Sequence, residues 1–293
     1  MNTKINTKVV MLGTGTPNPV PERSGPSVAI VVNDNSYLVD FGTGIVRQAE
    51  KANRKGIKAL EAKNLKTAFV THLHSDHTIG LADLIYTPWV LEREEPLKIY
   101  GPKGIKKMSE HLLAAYEDDI NARMFGLEQA NKTGIEVKTS EIGEGIIYED
   151  ELVTVEAFLV DHPPFEAYGY KFTTPDKVIV ISGDTCYNSN LIKHAKNCDI
   201  LIHEVISFTG VQLRDPKWKK YHLRVHTTSK DLAKIAAEAN PGKLIFYHQL
   251  FMVAPDKNGK MVTEAEREEE MINDVRLDYK GIVISAKDLD IID

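Results

Sequence analysis

Apolar runs short enough to be strands recur along the chain, and four of them end on residues able to bind a metal ion. Ala68, Phe69 and Val70 lead into Thr71, His72, Leu73, His74, Ser75, Asp76 and His77. Val178, Ile179, Val180 and Ile181 lead into Ser182, Gly183, Asp184 and Thr185, and Leu244, Ile245, Phe246 and Tyr247 end on His248. Residues 153–159 alternate apolar and polar positions, as a half-buried strand does, and run into Asp161 and His162. Positions just past the C-terminal ends of strands are where open α/β sheets place their sites. Elsewhere the pattern gives framework. A strand is expected at 97–100, then a helix from Ile105 through Leu112, Leu113, Tyr116 and Ile120, with Met108, His111, Tyr116, Met124 and Phe125 assigned to core rather than to a substrate cavity. Residues 168–172, a turn at 173–176 and the strand from Val178 read as a hairpin. Thr228 caps a helix, with Asp231 three residues on and Leu232, Ile235, Ala236 and Ala239 at helical spacing until Asn240, Pro241 and Gly242 stop it. A Glu-rich amphipathic helix at 261–271 and a last strand at 281–285 form a tail that either closes over the site or serves a homodimer interface.

The densest chemistry is at 72–77, where three imidazoles and a carboxylate fall within six residues. In an extended segment side chains alternate with a period of two, so His72 and His74 point the same way and can share one ion. Asp76 and His77 follow a tightening of the chain, with a helix expected to begin at 78–82, and so face a second position. Imidazole and carboxylate suit zinc first, iron or manganese less often, and the lack of cysteine argues against a structural zinc knot. The competing reading is a solvated, histidine-rich turn. Taken singly, His162 and His248 would be ordinary structural histidines and Asp184 a turn or cap residue; their coincidence with the cluster gives them weight. His226, just before the Thr228 helix, lies where backbone N–H groups and the helix dipole favour an anion.

Composition narrows the setting. The formal charge is 36 − 42 = −6, and the basic residues are scattered, so an extended nucleic-acid groove is not expected. The stretch 217–224, Lys-Trp-Lys-Lys-Tyr-His-Leu-Arg, mixes cations with aromatics and could touch a phosphate backbone, although a solvated loop with Trp218 packed beneath it is the preferred reading. Two cysteines, Cys186 and Cys198, make no disulfide framework, and Cys186 is expected to be a small buried residue. The start, Met1 to Ile5, has no apolar signal core, and no stretch approaches the roughly 20 apolar residues of a membrane span. A cytoplasmic protein acting on a small molecule, with no membrane partner, is the expectation.

The signature His-x-His-x-Asp-His, then a histidine after a strand, a Gly-Asp-Thr and a late histidine after another strand, resembles the metallo-β-lactamase fold and, within it, the ribonuclease Z-like group. The glycine-rich opening from Val10 to Pro17 with Arg23, Ser24 and Gly25, the second strand from Tyr37 to Gly42, Ile202-His203-Glu204 and Val225-His226-Thr227 resemble the same group, so the likeness spans roughly residues 8–250. It implies an α/β fold, a four-layer αββα sandwich, in one domain over 1–293. It also implies a dinuclear zinc centre, with Mn2+ or Fe2+ as alternatives: His72, His74 and His162 on the first ion, Asp76, His77 and His248 on the second, Asp184 bridging. Asp76 would accept or orient the proton of the attacking water, His226 would assist without binding metal, and Glu204 would hold the His226 ring, with a buried structural pair of His203 and Glu204 as the rival reading. The expected activity is hydrolysis of a phosphodiester or similar small ester. Alternatives are arylsulfatase-like or lactone and carboxylic-ester hydrolysis, tRNA 3′ processing, and a non-catalytic metal-binding scaffold or sensor. Between His162 and Asp184 there is room only for a hairpin and not for the arm with which tRNA-processing members grip tRNA.

Overall fold

A computed structural model describes residues 5–255 and 259–293, so the first four residues of the expected signal-free start lie outside the described residues. The chain divides into two compact units, one running to Gly143 and including Lys287–Asp293, the other Glu144–Ala286. Each is built on one sheet.

The first unit starts with an antiparallel set, β1 (Thr7–Gly13), β2 (Ser27–Val32) and β3 (Asn35–Val39), and continues in parallel with β4 (Thr67–Phe69), β5 (Leu97–Gly101) and β6 (Val137–Glu141). Parallel neighbours need crossovers, here α1 (Ile45–Arg54), then α2 (Ser75–Thr78) and α3 (Leu81–Val90), then α4 (Ile105–Ala115) and α5 (Glu117–Phe125). The buried stripe of α1, Ile45, Val46, Ala49 and Ala52, packs with Val10, Ala29, Leu38, Phe41 and Leu84 in one core. The glycine-rich opening turn is pinned by the Asp288 carboxylate, which accepts from Thr14 N–H and Oγ1, Ser24 N–H and Gln48 Nε2 at 2.7–2.9 Å. Glycine is required at Gly13, where an added Cβ would meet Gly25 O at 1.8 Å.

The helix expected from 105 to 120 is broken at Tyr116, and the reason is local. Glu117, Asp118 and Asp119 stand in the first turn of α5, where the N-terminal dipole favours negative charge; in mid-helix they would lack that stabilisation. Met108, Leu112, Leu113, Ile120 and Met124 lean on the core, but α5 buries no residue, His111 is exposed, and Tyr116 and Phe125 are 45 % and 70 % exposed, so the core assignment of His111, Tyr116 and Phe125 fails.

The second unit holds a meander, β7 (Gly145–Glu149), β8 (Thr154–Val160), β9 (Ala167–Thr173) and β10 (Val178–Ile181), then β11 (Ile200–Ile206), β12 (Lys243–Leu250) and β13 (Ile282–Ser285) in parallel with β10. The expected hairpin is β9–β10, with Thr173 opposite Val178. Helices α6 (Ser189–His194), α7 (Phe208–Gln212), α8 (Pro216–Val225), α9 (Ser229–Ala239) and α10 (Glu264–Asp278) make the crossovers. The stretch 217–224 is therefore a helix, not a loop: Asp215 caps it by accepting from the N–H groups of Lys217 and Trp218, and Pro216 occupies the first turn, where its missing N–H costs nothing. Trp218 lies 43 % exposed on it rather than packed beneath. The tail helix starts on a capping box, Thr263 with Glu266, and Met271, Val275 and Tyr279 pack with Leu232, Ile235 and Ala236 of α9. Finally β14 (Ile291–Ile292) returns to the first sheet and pairs with β1. Among the described residues no helix is long and apolar enough to cross a membrane.

Candidate metal centre

In the first unit the donors follow β4. Val70, Thr71 and His72 are buried, and α2 begins at Ser75, three residues before the expected start, so Asp76 and His77 lie inside its first turn. His74 precedes that helix in extended conformation (φ −64°, ψ 150°). Two donor pairs result. His72 Nε2 lies 2.9 Å from His74 Nδ1, and His77 Nε2 lies 3.6 Å from Asp76 Oδ2. Nitrogens sharing a tetrahedral zinc stand roughly 3.3 Å apart, given bond lengths near 2.0–2.1 Å, so either pair fits two ligands of one ion.

The far sides of these rings are tied down by Asp40, which in sequence is simply part of a strand. Asp40 is fully buried at the end of β3 with φ 60°. Its Oδ2 accepts from His77 Nδ1 at 2.8 Å, and its carboxylate also takes the Thr71 N–H (2.8 Å) and hydroxyl (3.0 Å). The Thr71 oxygen in turn accepts from His72 Nδ1 at 3.0 Å. With protons fixed on both Nδ1 atoms, both Nε2 lone pairs face outward, the tautomer a metal ligand needs.

In the second unit, His162 follows β8, and its Nδ1 donates to Val225 O at 2.7 Å, which again turns Nε2 toward a ligand position. Asp184 follows β10 through Gly183 (φ 63°), a left-handed turn that glycine adopts without strain. His248 is not past the end of its strand, as expected, but inside β12. Glu204 pairs with Tyr247 and Val205 with Gln249, so His248 is the extra residue of a β-bulge, with φ 45°. A bulge re-aims the side chain it carries. Here it puts His248 Nδ1 at 3.6 Å from Asp184 Oδ1, while Asp184 Oδ2 lies 3.9 Å from His226 Nδ1. One donor atom each from Asp184, His226 and His248 lie within 4.8 Å of one another.

His226 is the C-cap residue of α8, and Glu204 stands behind it. Glu204 Oε1 accepts the Thr227 N–H at 2.8 Å, and Oε2 is 3.4 Å from His226 Nδ1, ion-pair range rather than a hydrogen bond. Burial, reinforced by the Asp184 charge, pushes the Glu204 carboxyl well above the usual carboxylate range. Alternation along β11 turns the neighbouring His203 to the other face. It is fully buried, donates from Nδ1 to Glu204 O at 2.6 Å and is held neutral by desolvation, with its pKa lowered to about 4. The helix end after His226 is less open to anions than expected: Thr228 Oγ1 accepts the Asp231 N–H, and the Asp231 carboxylate occupies the first turn. Cys186 is half-buried rather than buried, its Sγ 3.6 Å from both Asp161 Oδ2 and Arg224 Nη1.

Each unit thus carries buried imidazoles oriented from behind and aimed with a carboxylate, a donor set that fits borderline divalent cations. Comparison with known proteins gives this arrangement a context. A family model described as anti-Pycsar protein Apyc1 matches residues 7–258. A ribonuclease Z of Mycobacterium sp. (strain KMS) is 30 % identical over 275 residues, covering 92 % of this chain and 94 % of the mycobacterial protein. Among solved structures, the metallo-β-lactamase fold protein YhfI from Bacillus subtilis aligns over 98 % of this chain and 100 % of its own, with a TM-score of 0.73 at 18 % identity. The short form of human tRNase Z aligns over 98 % of both chains, with a TM-score of 0.67 at 22 % identity. These two likenesses show the fold, and it is the α/β class expected from the sequence.

Proposed function

From the premise that the chain belongs to the anti-Pycsar protein Apyc1 family and to the ribonuclease Z-like hydrolases of the metallo-β-lactamase fold, we propose that its two units act as one domain with one dinuclear zinc centre that cleaves small phosphodiesters. The chain is a metal-dependent hydrolase acting on phosphoester bonds. In the proposed centre His72, His74 and His162 hold one ion, Asp76, His77 and His248 the other, and Asp184 both. The observation that carries the proposal is the orientation of His72, His77 and His162, each with Nδ1 hydrogen-bonded to an oxygen behind it and Nε2 left for a ligand.

Two divalent cations in such a site supply a water acidified to near neutrality and a clamp for the substrate's oxygens. The residues do the rest. Asp76, 13 % exposed at the side chain, is the most accessible carboxylate of the set among the residues placed here, and it orients the attacking water or accepts its proton. His226 donates to the developing negative charge or protonates the leaving oxygen, and Glu204 restrains its ring. Asp40, through His77 and Thr71, keeps the first unit's imidazoles in the ligating tautomer.

Bis(4-nitrophenyl) phosphate, an aryl sulfate and a lactone, each offered to the wild type and to Asp76→Ala with elemental analysis alongside, test the reading. Metal-dependent turnover of the phosphate, abolished by the substitution, is the expected result. Consumption of only the sulfate or the lactone defeats the phosphodiesterase assignment, and turnover of none defeats the proposed action on small phosphodiesters. A second experiment addresses the support. Asp40→Ala is expected to weaken metal affinity by roughly 10- to 100-fold, the usual cost of losing such a partner, as read by competition with a chromogenic chelator.

Removal of tRNA 3′ trailers is a second reading, favoured by the 30 % identity to a ribonuclease Z across nearly its whole length. Against it, the segment from His162 to Asp184 is filled by the short β9–β10 hairpin. Cleavage of a precursor tRNA decides between the two.

A further inference from the structure

The cationic, aromatic stretch 217–224 has no part in the centre described so far, yet as helix α8 it leads directly to His226. Its rings form a continuous line. Trp218 and His222, one turn apart, stack at 6.0 Å between centroids and 29° between planes; His222 and His226, the next turn on, lie 5.8 Å apart. Tyr221 meets both Trp218 (5.9 Å) and His222 (5.2 Å) edge-on. The outer end of the line is open to solvent, with Trp218 43 % and Tyr221 42 % exposed, whereas His222 is only 9 % exposed. Eight residues of helix advance about 12 Å, so Trp218 lies about that far along α8 from His226, within reach of a nucleoside-sized group whose ester is held at His226.

Exposed aromatic rings held rigid by rings beneath them offer a flat face with little conformational entropy to lose, and planar heterocycles stack on such faces. The surroundings are cationic although the whole chain is acidic. Lys217 Nζ lies 5.7 Å from the centre of the Trp218 ring, and Lys219 and Lys220 share the helix, in a protein of net charge −6, while Arg224 at its far end is paired with Asp161 at 2.8 Å. A helix of this composition complements an anionic ester that bears a planar ring. It does not suit an apolar protein surface, which would leave those cations desolvated.

We propose that Trp218 and Tyr221 form the platform on which the substrate's non-leaving group stacks, making α8 the element that selects phosphodiesters carrying a planar heterocycle over those carrying a short alkyl group. His222 is the rigid base of the platform. Desolvation, with the neighbouring His226 and Arg214 charges, lowers its pKa to about 4, so it adds no charge of its own at neutral pH. The proposal rests on the phosphodiesterase reading above.

Two esters with the same leaving group test it: the 4-nitrophenyl ester of thymidine 5′-monophosphate and ethyl 4-nitrophenyl phosphate. In Trp218→Ala the ratio of kcat/KM for the thymidyl ester to that for the ethyl ester is expected to fall about tenfold, within the range of one base stacked on one aromatic side chain, mainly through KM. Trp218→Phe keeps most of the ratio. Equal losses on both esters, or an unchanged ratio, overturn the platform. Calorimetric binding of thymidine 5′-monophosphate to wild type and Trp218→Ala reads the platform without turnover. Binding weakened at least fivefold supports it even where no phosphodiester is cleaved, in which case the phosphodiesterase reading alone fails; equal binding overturns it.

Discussion

Asp184→Asn is expected to lower kcat/KM for bis(4-nitrophenyl) phosphate by at least about 10³-fold while the protein stays folded. The two oxygens of this carboxylate face different imidazoles, Oδ1 toward His248 and Oδ2 toward His226. It is 2 % exposed, so little solvent screens it. An amide keeps the shape but removes the charge and replaces one acceptor by a donor, which repels a cation where the carboxylate attracted it. Losing one preorganised electrostatic group already costs about 10²–10³ in rate, and in the proposed centre this group serves both ions, so the loss lies at or beyond the upper end. Elemental analysis should show metal content falling together with activity. An unchanged far-ultraviolet circular dichroism spectrum would exclude unfolding as the cause, and it is expected because β10 stays paired to β9 and β11 through Val178, Ile179, Val180 and Ile181. Activity within tenfold of wild type, with both ions retained, would remove Asp184 from the centre.

The contrast between Asp184 and Asp40 shows what a single sequence reveals about such a site. Donors of metal-binding type stood out because they follow recognisable apolar runs: His72 after β4, His162 after β8, Asp184 after β10. Asp40 follows one as well, β3, but nothing along that strand marks its role. Its role lies across a parallel strand pair, with Leu38 beside Ala68 and Val39 beside Phe69, and that pairing carries Asp40 to the loop of Thr71 and His77. Side-chain pattern along one strand carries no information on which strand lies next to it. His248 was legible as a residue but not in its geometry, since a bulge depends on the register between β11 and β12 and not on the local sequence of either. The charges of helix α8 resemble those of a solvated loop, but Asp215 followed by Pro216 is a helix start signal present in the sequence. The break at Tyr116 also had a visible signal, the three acidic residues after it, which outweighed the apolar periodicity that continues through the break.

Arg93 carries the largest expected effect on stability. In the run Glu92-Arg93-Glu94-Glu95 it looks solvated, yet it is fully buried. Its Nη1 donates to Leu65 O (3.1 Å) and Leu84 O (2.9 Å), and its Nη2 to Ile85 O (3.0 Å) and Gly134 O (2.8 Å). One guanidinium thereby satisfies carbonyls from the end of α3's first turn and from the loops before β4 and β6. The main chains of Arg93 and Gly134 also run close together: a Cβ on Gly134 would meet the Arg93 backbone O at 1.7 Å, so only glycine fits there. Desolvation lowers the Arg93 pKa to about 10, still well above neutrality, so the group remains a cation and its bonds are charge-assisted. Arg93→Met fills much of the volume but leaves four buried carbonyls without this donor. Each unsatisfied buried group costs about 1–3 kcal/mol; allowing for relaxation and for the desolvation of the cation that is no longer required, a net loss of about 4 kcal/mol is expected. With an m-value of roughly 2–3 kcal/mol/M, that lowers the urea midpoint by about 1–2 M. Trp89, 1 % exposed and donating from Nε1 to Asn131 O at 2.8 Å, reports on this region, and a Trp218→Phe background makes it the sole tryptophan of the chain. Arg93→Lys should recover only part of the loss, because one ammonium cannot reach carbonyls that a planar fork spans. A midpoint unchanged in Arg93→Met would mean that water replaces the guanidinium at little cost, and the four carbonyl bonds would then contribute no net stability.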